Sequence, residues 1–223
     1  MLAEVLGVRE GVTAVIGGGG KTTLLRTLGE ELARSGARVI LATSTKFRPF
    51  PGIETVPGGE REIAEALGCA PLVCAAAPWG ESGKLAESPV PMARLAALAD
   101  CVLVEADGSA GLPLKAHAPH EPVIPAESGR VILVLGASGF GRPIRETAHR
   151  PERYAALAGC DIETAVTPEI AARVIRAEGL GDMVLVNQAE TPEARERARK
   201  LAEYLALPVY AGSLQRGEIE CVS

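Results

Sequence analysis

Residues 12–23 read Val-Thr-Ala-Val-Ile-Gly-Gly-Gly-Gly-Lys-Thr-Thr. Val12–Ile16 is short, apolar and rich in β-branched side chains, which marks a buried strand. Four glycines end it in a tight loop. Thr22–Ser35 then spaces Leu24, Leu25, Leu28 and Leu32 along one face of a helix, with Gly36 as its C-cap. Strand, glycine loop and helix in this order suit an anion: backbone N–H groups turn inward, and the helix start adds positive potential. In this reading Gly17, Gly18, Gly19 and Gly20 wrap phosphate and Thr23 lies in the helix start. Lys21 reaches the β/γ-phosphates, and the Thr22 hydroxyl bears on Mg²⁺. The full pattern G-x-x-x-x-G-K-[ST] asks for glycine where this chain has Val15, so the loop is an irregular or shortened version.

Outward from this stretch the alternation continues. Arg38–Ala42, Cys101–Ala106, Val131–Leu135, Met183–Val186 and Pro208–Ala211 read as strands, and Leu72–Ala77 as strand or loop. Helices are expected at Glu60–Leu67, Met92–Leu98, Pro151–Leu157, Pro168–Glu178 and Pro192–Leu205, three of them opening on proline. Strands apolar on both faces and separated by helices imply a parallel sheet covered on both sides. The expectation is a single three-layer α/β, P-loop NTPase-like domain over residues 1–223, with a mainly parallel sheet of about six or seven strands. The segment 108–129 carries four prolines and little periodicity, which marks a functional loop rather than a plain connection.

Composition narrows the classes. With 23 basic and 28 acidic residues the formal charge is −5, which argues against a protein that coats duplex nucleic acid or anionic lipid. No apolar run approaches the roughly 18–20 residues of a membrane span. The five cysteines form no C-x-x-C pair, as suits a reduced, cytoplasmic protein. Cys101 falls in a core strand; Cys74 and Cys221 are less clearly buried. Only five lysines occur, at 21, 46, 84, 115 and 200, and a single asparagine, Asn187. Where so sparing a chain still uses these side chains is a guide to its sites.

Thr43-Ser44-Thr45-Lys46 follows the second strand, where residues face the ligand crevice of a parallel sheet. Hydroxyls there, Thr45 included, suit Mg²⁺ or its waters, and Lys46 suits a phosphate or acidic substrate. Glu105-Ala-Asp-Gly108 ends a buried strand with two acids. A carboxylate at that place holds Mg²⁺ directly or through water, and spacing leaves Glu105 and Asp107 as alternatives. Lys115, His117, His120 and Glu121 fall within seven residues of the proline-rich loop. The prolines exclude the helix that H-E-x-x-H zinc sites need, so a substrate- or partner-binding loop is favoured over zinc. Asn187-Gln-Ala-Glu190 follows a late strand and is similar to the base-reading N-K-x-D of GTPases, with Gln for Lys and Glu for Asp.

Four stretches together resemble one family: G-G-G-G-K-T-T at 17–23, T-S-T-K at 43–46, the run Leu103–Pro125, and H-R-P-E at 149–152. These are similar to the YqeC-like proteins, the selenium-dependent molybdenum hydroxylase accessory protein family. The resemblance implies a P-loop fold and a role in maturing selenium-dependent molybdenum hydroxylases, while the residues themselves point to Mg²⁺ with ATP or GTP as cofactor. Its implied partners are a nucleoside triphosphate and the hydroxylase or its cofactor-maturation machinery. On this reading Lys21, Lys46, Glu105 and Asp107 serve catalysis, and Thr22 with Glu105 or Asp107 manages the metal. Asn187 lies near the base, while Lys115, His117 and His120 face the client or transferred group. Two alternatives remain: a small-molecule kinase or transferase on the same fold, and a non-catalytic nucleotide- or pterin-binding assembly scaffold.

Overall fold

Residues 1–81 and 83–223 are described by the computed structural model. Along the chain the elements are α1 (Leu2–Val5), β1 (Gly11–Gly17), α2 (Lys21–Arg34), β2 (Val39–Thr43), β3 (Lys46–Phe47), β4 (Thr55–Val56), α3 (Glu60–Cys69), β5 (Leu72–Ala75), β6 (Ala77–Trp79), β7 (Lys84–Ala86), α4 (Met92–Leu98) and β8 (Cys101–Glu105). There follow β9 (Leu114–Lys115), β10 (Ser128–Gly136), α5 (Ile144–Thr147), β11 (Ala148–His149), α6 (Pro151–Ala158), α7 (Pro168–Glu178), β12 (Met183–Asn187), α8 (Pro192–Glu203), β13 (Val209–Ser213) and β14 (Glu218–Cys221). The main sheet has nine strands. The expected six or seven fell short because β4 has only two residues and β14 is largely exposed, so neither carries an alternation signal; β14 is the antiparallel member. Leu72–Ala77 resolves as β5, the single residue Ala76 and the start of β6.

The chain divides into two compact units, neither continuous in sequence. The first comprises 1–15, 22–108 and 123–130; the second comprises 16–21, 109–122 and 131–223. In the first unit β1, β8, β2, β5 and β4 run parallel. Val12, Ile40, Ala42, Val102 and Val104 point from one face into a core with Ile63 and Leu67 of α3 and Leu95 of α4. The opposite face meets α2, where Gly29 lets the helix approach so closely that a Cβ would stand 3.0 Å from Leu41. Both faces of this sheet are therefore covered, as its continuously apolar strands require. Each buried leucine or isoleucine contributes about 1.5–3 kcal/mol relative to exposure. A small antiparallel sheet of β3, β7 and β6 lies apart from it.

In the second unit β12 pairs parallel with β10 and with β13, and β14 closes antiparallel on β13. Helices α7 and α8 start as their sequences require. The hydroxyls of Thr167 and Thr191 each accept from a backbone N–H three residues on, at 3.2 Å, and proline follows at the first helical position. The proline-rich segment is partly ordered by β9, which pairs with β11.

Candidate functional site

Strand register assembles the first half of the site. Val15 of β1 and Thr43 of β2 are both paired with Glu105 of β8, so the three occupy one row at the carboxyl ends of parallel strands. Thr43 is buried; its hydroxyl donates to Glu105 O at 2.9 Å and accepts from Thr45 N at 3.0 Å. The Glu105 side chain turns toward the start of α2, where Thr22 Oγ1 donates to Glu105 Oε2 at 3.0 Å. Thr22 and Thr23 are exposed, while Glu105 and Asp107 are buried. Lys46, next in the T-S-T-K segment, places its ammonium 3.7 Å from the centre of the Trp79 ring.

Lys21 and the glycines, which precede Thr22 in the sequence, belong to the second unit. Lys21 is only 4% exposed, and its ammonium donates to Gly17 O at 2.7 Å and to Ser109 Oγ at 3.3 Å. A buried ammonium needs such partners, since uncompensated burial is costly. Gly18 N donates to Val134 O at 2.9 Å and Gly19 N to Leu112 O at 3.1 Å. The loop is packed as well as bonded. Gly19 has φ +76°, and a Cβ there would lie 2.3 Å from Gly136 N; at Gly20, φ +131°, it would lie 2.4 Å from the Asn187 amide nitrogen. The glycines are thus demanded by close approach inside the protein, independently of any ligand.

Asn187 is buried at the end of β12. Its amide nitrogen donates to Gly19 O at 2.8 Å, and its amide oxygen accepts from Leu214 N at 3.0 Å. This residue straps the glycine loop to the turn after β13. Gln188, at φ +64°, turns its side chain onto Ser138, whose hydroxyl donates to Gln188 Oε1 at 2.6 Å.

The cluster in the proline-rich loop takes a different form. Lys115 has a fully buried side chain, and its ammonium is paired with Glu121, which also pairs with Arg150. Burial alone would raise the Glu121 carboxyl; the Lys115 hydrogen bond and charge, with Arg150, outweigh it and hold the carboxyl below the ordinary carboxylate range. His117 is buried, with Nδ1 2.8 Å from Glu178 Oε2, and its backbone N–H donates to Glu178 Oε1 at 2.6 Å. Arg153 donates to the His117 carbonyl. His120 is exposed.

Sequence reasoning missed three partners: Ser109, Trp79 and Glu178. Glu178 had a signal. It ends α7, where the helix dipole disfavours an acid, so a tertiary partner was to be expected. Among the cysteines, Cys74 and Cys101 are buried and Cys221 is exposed; burial pushes the Cys74 thiol up to about 12, so it stays protonated and unreactive at neutral pH.

Among the described residues no group of three or more His, Cys, Asp or Glu is arranged to hold a metal ion. The two oxygens at Thr22 and Glu105 suit a hard cation that keeps waters and shares its ligands with phosphate, as Mg²⁺ does. Nor is any helix among the described residues long and apolar enough to cross a membrane.

Fold and site define an α/β protein with a large, mostly parallel sheet, whose glycine loop leads into a helix braced by an acidic strand end. Its residues 13–152 match the YqeC protein family, and the chain belongs to that family. All four family-like stretches fall inside or overlap this match, whereas Asn187–Glu190 lies outside it. The chain is similar to the uncharacterized protein YqeC of Escherichia coli strain K12. The two are 36% identical over 158 residues, covering 68% of this chain and 62% of that protein. The match therefore spans less than two thirds of the relative's length.

Proposed function

We propose that this chain is a Mg²⁺-dependent nucleotide-binding protein of P-loop type, hydrolysing ATP or GTP in support of selenium-dependent molybdenum hydroxylase maturation. The observation that carries the reading is the 3.0 Å hydrogen bond from Thr22 to Glu105 at the helix start that follows four glycines and Lys21. A hydroxyl on the first helical turn and a carboxylate on a neighbouring strand end are the two oxygens that phosphoryl-transfer sites use. The start of α2 carries the positive end of the helix dipole, which favours an anion there. Lys21 supplies the positive charge at the loop. Glu105 orients the Thr22 hydroxyl, and Thr43 fixes the strand end from which Glu105 projects. When bound, Mg²⁺ supplies neutralisation of phosphate charge at these oxygens. The maturation role rests on the family resemblance.

Calorimetric titration of the full chain with ATP, GTP and CTP, each with and without Mg²⁺, tests the binding. Mg²⁺-dependent binding of at least one is expected; a folded protein that takes none overturns the reading. The maturation role is checked by the selenium content of hydroxylase produced with and without this protein, which is expected to fall in its absence.

A further inference from the structure

Within the first unit a cavity of about 360 Å³ opens beside the carboxyl end of β2. That volume is in the range of pockets that hold small organic molecules. Its walls are largely apolar, with Val90 and Leu95 buried and Met92 and Val123 nearer the surface. Thr43, Ser44 and Ser88 bring hydroxyls to the lining, and Glu87 and Glu127 bring exposed carboxylates. Among the described residues no Lys, Arg or His lines it.

The hydrogen-bond partners give the wall a polarity. A hydroxyl has one proton and two lone pairs. Thr43 has given its proton to Glu105 O and one lone pair to Thr45 N, which leaves one, and Ser44 has given its proton to Val123 O. What these two side chains can offer a ligand is acceptor capacity, and the two carboxylates add to it. An anion entering here would face carboxylates with no cation to offset them. A cation or strong donor would meet acceptors and then an apolar surface for its body.

We propose that this cavity binds an organic cation, a compact apolar body carrying a protonated amine. Its binding does not require the glycine loop to take a nucleotide. Thr43 belongs both to this wall and to the strand-end row with Glu105, so the occupant lies against the same strand end that braces Thr22.

Phenethylamine, 2-phenylethanol and phenylacetate share a ring and differ in charge, and serve as probes with the full chain in calorimetry and saturation-transfer NMR. Phenethylamine is expected to bind most tightly and phenylacetate most weakly. The double substitution Glu87→Gln with Glu127→Gln weakens the amine about tenfold, the scale of two exposed ion pairs, and leaves the alcohol unchanged. Met92→Trp, which fills the cavity, removes both, with a circular dichroism spectrum reporting that the fold persists. Lys21→Ala leaves phenethylamine binding as it was, which separates this site from the nucleotide reading. Three results overturn the proposal: phenylacetate binding as tightly as the amine, amine affinity unmoved by the carboxamide pair, or no amine binding up to about 10 mM.

Discussion

At the Thr22–Glu105 corner an exposed hydroxyl and a carboxylate share one hydrogen bond. Around Lys115 two cations converge on one carboxylate, and the lysine stem is wholly out of water. Both regions are built from side chains that do chemistry elsewhere, yet their energetics differ. A hydrogen bond to a charged group contributes about 1.5–3 kcal/mol and can be exchanged for one to a ligand. Removing one partner of a buried pair costs about 3–5 kcal/mol, because the other charge is left without compensation. The corner can therefore open to an incoming phosphate or cation at modest cost. The Lys115 cluster holds the proline-rich segment in place. Availability, more than residue type, separates a reactive motif from a structural one.

The largest expected effect tests the structural side. Lys115→Met leaves Glu121 with Arg150 alone and should lower unfolding free energy by about 2–3 kcal/mol in urea titration. A loss below about 1 kcal/mol would make the cluster as exchangeable as the corner. On the other side, Lys21→Ala should weaken Mg²⁺–nucleotide binding about 30-fold by calorimetry, the loss of one charge-assisted contact. Its urea midpoint should move far less than that of Lys115→Met.

A pH series sharpens the contrast further. The Glu121 carboxyl titrates below its ordinary range when folded. Its contribution is present above the unfolded value of about 4.3 and is lost as pH falls through the depressed folded value. As pH falls below the unfolded value, wild type should lose stability more steeply than Glu121→Gln, which has no proton to take up there. The smallest effect belongs to Lys46→Met. Removing an ammonium from an exposed indole ring should cost about 0.5–1 kcal/mol, and nucleotide affinity should stay unchanged if Lys46 serves only Trp79.

Much of the sheet was legible because its central strands are continuous apolar runs. Val12–Ile16, Arg38–Ala42 and Met183–Val186 each match an observed strand within about two residues. Helices α4 and α7 start and stop where their spacing and flanking residues place them. The peripheral strands were hidden for physical reasons. Thr55–Val56 has two residues, and Ala77–Trp79 contains Pro78, which sequence reading assigns to edges or loops. The loop–helix start and the acidic end of β8 were each marked by their residues, but the hydrogen bond that joins them is set by parallel register 83 residues apart. Lys115 and Glu121 are six residues apart, a spacing that neither helix nor strand periodicity brings together. Only the turn between them does.

The Asn187 strap has a consequence for how the protein is made. Gly19 and the amide that bonds it are 168 residues apart, and the amide's other partner, Leu214, comes later still. At ribosomal rates of about 5–20 residues per second, the glycine loop emerges roughly 10–30 s before its strap exists. During that interval the segment most suited to gripping phosphate is held only by contacts already synthesised. Nascent chains arrested before residue 187 should therefore carry a loop more open to protease than the finished protein, although every residue of the loop is present in both.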